Sequence, residues 1–168
     1  MTFTERFQTF VCDGDSISCE VAGFEIIARI VRDDCLDPPD ERQDGFWPSL
    51  YKDAPGFIGP GPNHRQRFAE AQAEAEAVMQ AWRNDEWFYC GIVLSAALEG
   101  VTLERVGAAV FGIEANYPGS DNSYLTEVAQ ELLPEALDAG FAAARRLCAA
   151  LETSGARGGT RAPHKKTT

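Results

Sequence analysis

Residues 85–133 read DEWFYCGIVLSAALEGVTLERVGAAVFGIEANYPGSDNSYLTEVAQELL, and they hold the densest apolar material of the chain. Residues 87–98 are nearly all apolar, and the Glu99-Gly100 pair that follows is a two-residue connection of the kind that closes a β-hairpin. Apolar side chains then recur at alternate positions over residues 101–113, which is the spacing of a half-buried strand. The stretch therefore predicts two antiparallel strands.

A helix is predicted to follow this hairpin. Residues 115–123 are mostly turn formers and end in three candidate N-cap residues, Asp121, Asn122 and Ser123. Apolar side chains at spacings of three and four then form one stripe, as in an amphipathic helix. Pro134 is expected to end or kink this helix, and Gly140 to break it again before the stripe resumes.

Upstream, the pattern predicts one more hairpin, over residues 16–21 and 24–32, and one more helix, over residues 64–83. The predicted fold is therefore α+β, with an antiparallel sheet of about four strands and two to three helices packed on one face. Residues 1–153 are predicted to form a single domain. Residues 154–168 have no apolar anchor beyond alanine and are predicted to be a disordered basic tail.

Charge is unevenly distributed along the chain, whose net charge is −11. All 26 acidic residues lie at or before Glu152 together with 11 of the 15 basic residues, so this part carries −15 and the remainder +4. A field of that sign repels nucleic acid and attracts basic protein surfaces. Direct nucleic-acid binding by the body is therefore not expected.

The five cysteines are odd in number and include no C-x-x-C pair, which favours reduced thiols in a cytoplasm. Neither a signal-peptide core nor an apolar run of 18 residues is present, so no membrane span is expected. The chain has two histidines, His64 and His164, and no G-x-S-x-G motif, so it carries no catalytic signature. No cofactor and no metal are expected.

Residues 33–62 carry six prolines and little periodicity, which predicts a long proline-rich excursion strapped onto the body by its aromatic side chains. Its six acidic side chains are expected to gain nothing from being held there, and aromatic residues follow them, as in many protein interfaces. A solvated acidic face, with aromatics that only pin the loop, is the alternative. The candidate partner-binding residues are Asp33, Asp34, Asp37, Asp40, Glu41, Asp44, Trp47 and Tyr51.

A second candidate site lies at the end of the central hairpin. Glu114, Tyr117 and Asp121 are predicted to face one pocket at the sheet edge, where two carboxylates are able to act on a substrate or with a divalent metal. The alternative is that Asp121 caps the helix and Glu114 is solvated.

Three blocks carry a resemblance: GFWPS at 45–49, NDEWFYCGIVLS at 84–95 and GIEANYPGSDNSYLTEV at 112–128. They resemble a group of small acidic proteins of unassigned function that are encoded by bacteriophages and prophages. The resemblance implies a bacterial cytoplasm and a mobile genetic element. By analogy, acidic proteins of such elements antagonise host defence by occluding nucleases or mimicking DNA.

The predicted function is that of a non-catalytic acidic binding protein, which engages a basic, nucleic-acid-handling host or toxin protein as an inhibitor or DNA mimic. One alternative is a small metal-assisted hydrolase or nucleotide-processing enzyme that uses Glu114 and Asp121. Another is a phage structural or assembly protein that forms homo-oligomers through its helical stripes.

Overall fold

A computed structural model describes residues 2–157, with side chains as far as Ser154. Both predicted hairpins and both predicted long helices are present, so the α+β class is confirmed. The elements in chain order are β1 (Ser16–Val21), β2 (Phe24–Arg32), α1 (Pro39–Arg42), α2 (His64–Arg83), β3 (Phe88–Leu98), β4 (Val101–Ala115) and α3 (Ser123–Arg157).

The four strands form one antiparallel sheet in the order β1-β2-β3-β4, so each strand pairs with its neighbour in sequence. Ala22-Gly23 joins β1 to β2, and Glu99-Gly100 joins β3 to β4. All four residues have positive φ, between 50° and 84°. Two consecutive positive φ values are the type I′ geometry, whose twist matches that of antiparallel strands. The two connections therefore fix the register of both hairpins.

The main core lies between one face of this sheet and α3. Paired side chains of β2 and β3 are fully buried there, and α3 adds a fully buried stripe of its own. Burial of each large aliphatic side chain contributes roughly 1.5–3 kcal/mol. The sheet side chains are Ile26, Ala28 and Ile30 opposite Ala96, Leu94 and Ile92, and those of α3 are Leu125, Ala129, Leu133 and Ala136.

α3 is one helix of 35 residues, which differs from the expectation that Pro134 and Gly140 would interrupt it. Pro134 is exposed, so any bend that it imposes opens toward water and leaves the core in place. At Gly140 an added Cβ would lie 3.0 Å from the Ala96 Cβ and 3.2 Å from the ring of Phe24. Packing of the helix against the sheet thus needs a glycine here, and it outweighs the low helix propensity of that residue.

α2 packs away from this core. The indole N–H of Trp87 donates to the Val78 carbonyl of α2 at 2.9 Å, and Trp87 and Tyr89 join Val78 in a second, smaller cluster. Tyr89 alternates with Phe88 and Cys90 along β3, so its side chain lies on the face opposite to α3. The two long helices therefore do not share one face, which differs from the predicted arrangement.

The C-terminal helix continues to Arg157, four residues into the segment predicted as a tail. Residues 158–168, the rest of that segment, lie outside the described residues. Within residues 2–157, no helix combines the length and the apolarity that a membrane span requires.

Candidate partner-binding surface

The excursion between β2 and α2 is folded back on itself. The Ser49 N–H donates to the Gly56 carbonyl at 2.9 Å, and the Ile58 N–H donates to the Ser49 carbonyl at 2.7 Å. Gly45 and Gly56, with φ of 76° and 75°, meet where the two arms touch. A Cβ on Gly56 would lie 2.4 Å from the Trp47 carbonyl oxygen, so only glycine fits there. The excursion is therefore an ordered loop.

Asp33 and Arg42 form the ion pair that closes the acidic half of the excursion. Both guanidinium NH groups of Arg42 donate to the Asp33 carboxylate at 3.1 Å, and both side chains are only 15% exposed. The Cys35 N–H donates to the same carboxylate at 3.0 Å. This bond, followed by the pairing with Arg42, holds the pKa of Asp33 below its ordinary value although partial burial opposes the shift. Asp33 is therefore an internal anchor of the loop.

Asp40 and Trp47 also contact each other. The indole N–H of Trp47 donates to the Asp40 carboxylate at 3.0 Å, and the Trp47 ring packs edge-on against Phe46, with ring centroids 5.1 Å apart. Phe46 in turn packs on the cluster of Trp87 and Tyr89. The expectation that the acidic side chains gain nothing from the folded loop is thus wrong for Asp33 and Asp40, and also for Asp37, which accepts from the Cys35 thiol at 3.2 Å. None of these contacts can be read from the sequence.

Five of the predicted acidic residues are exposed, namely Asp34, Asp37, Asp40, Glu41 and Asp44, and Asp40 among them accepts the bond from Trp47. Tyr51 and Leu36 expose 81% and 84% of their surface on the same excursion. Exposed large apolar side chains beside charged ones are typical of surfaces that bind proteins. The exposed residues that are left for a partner are therefore Asp34, Asp37, Glu41, Asp44 and Tyr51, while Asp33, Asp40 and Trp47 hold the loop together.

A cleft of about 360 Å³ separates the excursion from α2. Its walls include Phe46, Phe57 and Val78, and Glu74 and Tyr117 also line it. An open cleft with some apolar side chains and a carboxylate on its walls suits the aliphatic stem and charged head of a lysine or arginine. The cleft is thus compatible with a basic partner.

Glu114 lies among tyrosines at the end of the central hairpin. It pairs with Tyr89 across β3 and β4. Burial, followed by the charge of Glu114, raises the pKa of both Tyr89 and Tyr117. The ring of Trp87 contacts those two rings edge-on, at centroid distances of 5.2 Å and 5.1 Å. The structure thus brings Glu114 and Tyr117 together, in an aromatic setting.

Asp121 instead forms a hydrogen bond at the start of α3. Its carboxylate accepts from the Ser123 N–H at 2.9 Å, and this bond lowers the pKa of Asp121. No hydrogen bond joins it to Glu114 among residues 2–157, and that part of the chain holds no group of three or more His, Cys, Asp or Glu able to bind a metal. The capping alternative therefore describes Asp121.

Two asparagines that the sequence reasoning did not single out as a pair hold the N-terminal arm, residues 2–11. Asn122 is fully buried; its amide donates to the Thr9 carbonyl at 3.0 Å, and its carbonyl accepts from the Asn116 N–H at 2.9 Å. Asn116 bonds both the N–H and the carbonyl of Val11, at 2.9 Å and 2.8 Å. The two asparagines were visible in the sequence as turn formers, and both have positive φ in the structure, but the arm residues that they bond lie more than 100 residues away.

No protein-family model matches this chain, and no curated protein or solved structure does so either.

Proposed function

We propose that this protein is a non-catalytic binding protein that engages a basic protein surface in a bacterial cytoplasm. The observation that carries the proposal is that the acidic residues of the excursion fall into two groups. Asp33 and Asp40 are used to fold the loop, and four further acidic side chains are held exposed on it. A surface that is ordered before binding loses less conformational entropy when it meets a partner.

The chemistry of the exposed set fits a basic partner. Asp34, Asp37, Glu41 and Asp44 supply negative charge, and the net charge of −11 adds a long-range field that speeds encounter with a positive surface. Tyr51 supplies apolar contact area. Exposed aromatic residues are frequent among those that contribute most to binding.

We assign the partner to the class of nucleic-acid-handling proteins of a host or a toxin, because their binding grooves are rich in lysine and arginine. The resemblance to acidic proteins of bacteriophages and prophages supports the same assignment. In this proposal the protein occupies the groove as an inhibitor or DNA mimic. Association is then fast and weakens as salt rises.

The experiment is capture of partners from a bacterial lysate, followed by elution with salt and, separately, with duplex DNA. A site variant changes Asp34→Asn, Asp37→Asn, Glu41→Gln and Asp44→Asn together. A matched variant makes the same change in charge on α3, at the exposed residues Glu127, Glu131, Glu135 and Asp138.

We expect the site variant to lose the captured protein while its melting temperature stays the same or rises, because like charges have been removed. The matched variant is expected to retain most of the binding. Equal loss in both variants would reduce the proposal to a general charge effect. Binding that survives the site variant, or that high salt does not weaken, would contradict it, and failure of DNA to elute the partner would remove DNA mimicry alone.

A further inference from the structure

The cleft between the excursion and α2 carries negative charge without a balancing positive charge. Glu74 lies on its α2 wall, and among the described residues none of those that line the cleft is basic. Burial, then the charge of Glu114 and then that of Glu74, raise the pKa of Tyr117 on the same cleft. Neither glutamate forms an ion pair with another described side chain. A cation that enters the cleft is therefore attracted by two carboxylates and meets no competing cation.

Aromatic side chains form part of the remaining wall. Phe46 and Phe57 come from the two arms of the excursion, Tyr117 comes from the turn after β4, and all three are half-buried. Aromatic rings of this kind attract cations, most often the guanidinium of arginine. The same fold already makes such a contact, since the Arg42 guanidinium lies 4.1 Å from the centroid of the Tyr89 ring.

Small residues keep the cleft open. Ala71 and Ala75 line it from α2 together with Glu74, because residues three and four apart lie on one face of a helix. The opposite wall is held in place, since Phe46 packs on the cluster of Trp87 and Tyr89. Ligand pockets measure about 300–1,000 Å³. The 360 Å³ of this cleft therefore suit a single side chain better than a larger ligand.

We propose that this cleft binds one arginine side chain of a partner protein, with the guanidinium held between Glu74 and the aromatic rings. The inference rests on the proposed function for the molecule that brings the arginine, and it adds a site beside the exposed acidic residues of the excursion. Arginine fits better than lysine, because its planar and weakly hydrated guanidinium stacks on a ring while it donates to a carboxylate. Since the walls are ordered before binding, little conformational entropy is lost there.

A capped peptide, acetyl-Gly-Arg-Gly-amide, tests the cleft without the partner. Nuclear magnetic resonance of the full chain should show shifts at the amides of residues 45–47, 56–58 and 74, with a dissociation constant of about 1–10 mM. The peptide with lysine instead of arginine should bind about three- to tenfold more weakly. The peptide with citrulline, which has nearly the same shape and no charge, should not bind. Equal binding of the lysine peptide would overturn the assignment to arginine, and the absence of shifts at the cleft would overturn the site.

Two variants change the cleft in different ways. Glu74→Gln removes the charge and should weaken binding of the arginine peptide by about three- to tenfold. Ala71→Leu fills the space and should abolish binding with unchanged circular dichroism, since leucine is a good helix former. Glu76→Gln is the matched control, because Glu76 is exposed on a different face of α2, and it should bind the peptide like the wild type. Equal weakening by Glu74→Gln and Glu76→Gln would contradict a local site.

Capture of the partner from a lysate separates this inference from the proposed function. Ala71→Leu and Glu74→Gln should each release the captured protein at lower salt than the wild type does. A partner that both variants hold as tightly as the wild type would overturn the arginine site and leave the proposed function standing. A lysate that yields no basic partner would contradict the proposed function, whereas binding of the arginine peptide in the cleft would remain.

Discussion

At Arg42 a single guanidinium joins three parts of the protein. It donates to the Asp33 carboxylate and to the Cys35 carbonyl, and it lies 4.1 Å from the centroid of the Tyr89 ring in β3. Contact of a cation with an aromatic face contributes about 0.5–2 kcal/mol, depending on how dry the site is. The acidic half of the excursion is thus fastened to the sheet through a positive charge.

Asp33→Asn should lower the free energy of unfolding by about 2 kcal/mol at pH 7, because the hydrogen bonds that it weakens are made to charged groups. The pKa of Asp33 lies below its ordinary 3.8 in the folded protein. Its contribution is therefore complete above that ordinary value and is lost as the pH falls through the folded value. Urea unfolding at a series of pH values should show the difference between variant and wild type shrinking in acid.

Asp34→Asn is the matched control, since Asp34 is exposed and forms no hydrogen bond or ion pair with another described side chain. The free energy of unfolding of Asp34→Asn should stay within about 0.5 kcal/mol of the wild-type value at every pH. If the neighbouring substitution costs as much as Asp33→Asn, the pairing with Arg42 is not the source of the effect.

At the scale of the elements, the N-terminal arm shows how a segment without helix or strand is held against a helix. Phe3, Phe7 and Val11 are buried at intervals of four residues. The Phe3 N–H donates to Gln130 at 3.0 Å and the Phe7 N–H to Thr126 at 3.1 Å, so the arm runs antiparallel along α3. Its far end is held by Asn116 and Asn122.

Asn122→Ala should release this end of the arm. The change leaves the partly buried Asn116 N–H and the Thr9 carbonyl without their partner, and an unsatisfied group that water does not reach costs about 1–3 kcal/mol. Hydrogen exchange of the amides of residues 3–11 should become at least about tenfold faster, which corresponds to 1.4 kcal/mol.

Asn63→Ala is a close control for the strain of the backbone. Asn63 and Asn122 have φ of 60° and 61°, but the Asn63 side chain makes no capping bond. Both variants pay the strain of alanine at positive φ, and Asn122→Ala alone breaks the network. Equal exchange rates for the arm in the two variants would show that the asparagine network does not hold it.

The sequence predicts the elements whose cause is local. A two-residue turn and a period of two are enough for each hairpin, and the alanine- and glutamate-rich composition of residues 64–83 is enough for α2. α3 is continuous because of contacts between residues that are far apart in the sequence, since Gly140 packs against Phe24 and Ala96. The candidate site divides in the same way, because its acidic residues can be read from the sequence, whereas the exposure of Tyr51 and the use of Trp47 as a donor to Asp40 depend on how the loop folds.

At the scale of the whole molecule, excess negative charge opposes the compact state. Most of the acidic residues are exposed and few are paired, since the described residues contain three ion pairs. The basic partner proposed above would neutralise part of this charge on binding.

The melting temperature should therefore rise when sodium chloride is increased from about 10 to 200 mM, because the Debye length falls from about 30 Å to below 10 Å. A gain of about 1 kcal/mol corresponds to roughly 3 °C for a chain of this size. Scanning calorimetry at low protein concentration measures this rise. An equal ionic strength of sodium sulfate that gives a far larger rise would point to surface exclusion of the salt instead, and a fall would contradict the argument.

The two asparagines that hold the N-terminal arm, Asn116 and Asn122, also affect the order in which the protein folds during its synthesis. Val11 is synthesised 105 residues before Asn116, and Thr9 is synthesised 113 residues before Asn122. Most of the sheet is therefore translated while the arm still lacks the groups that will hold it, and closing so long a loop has its own entropic cost. The arm is therefore made long before it is able to reach its place.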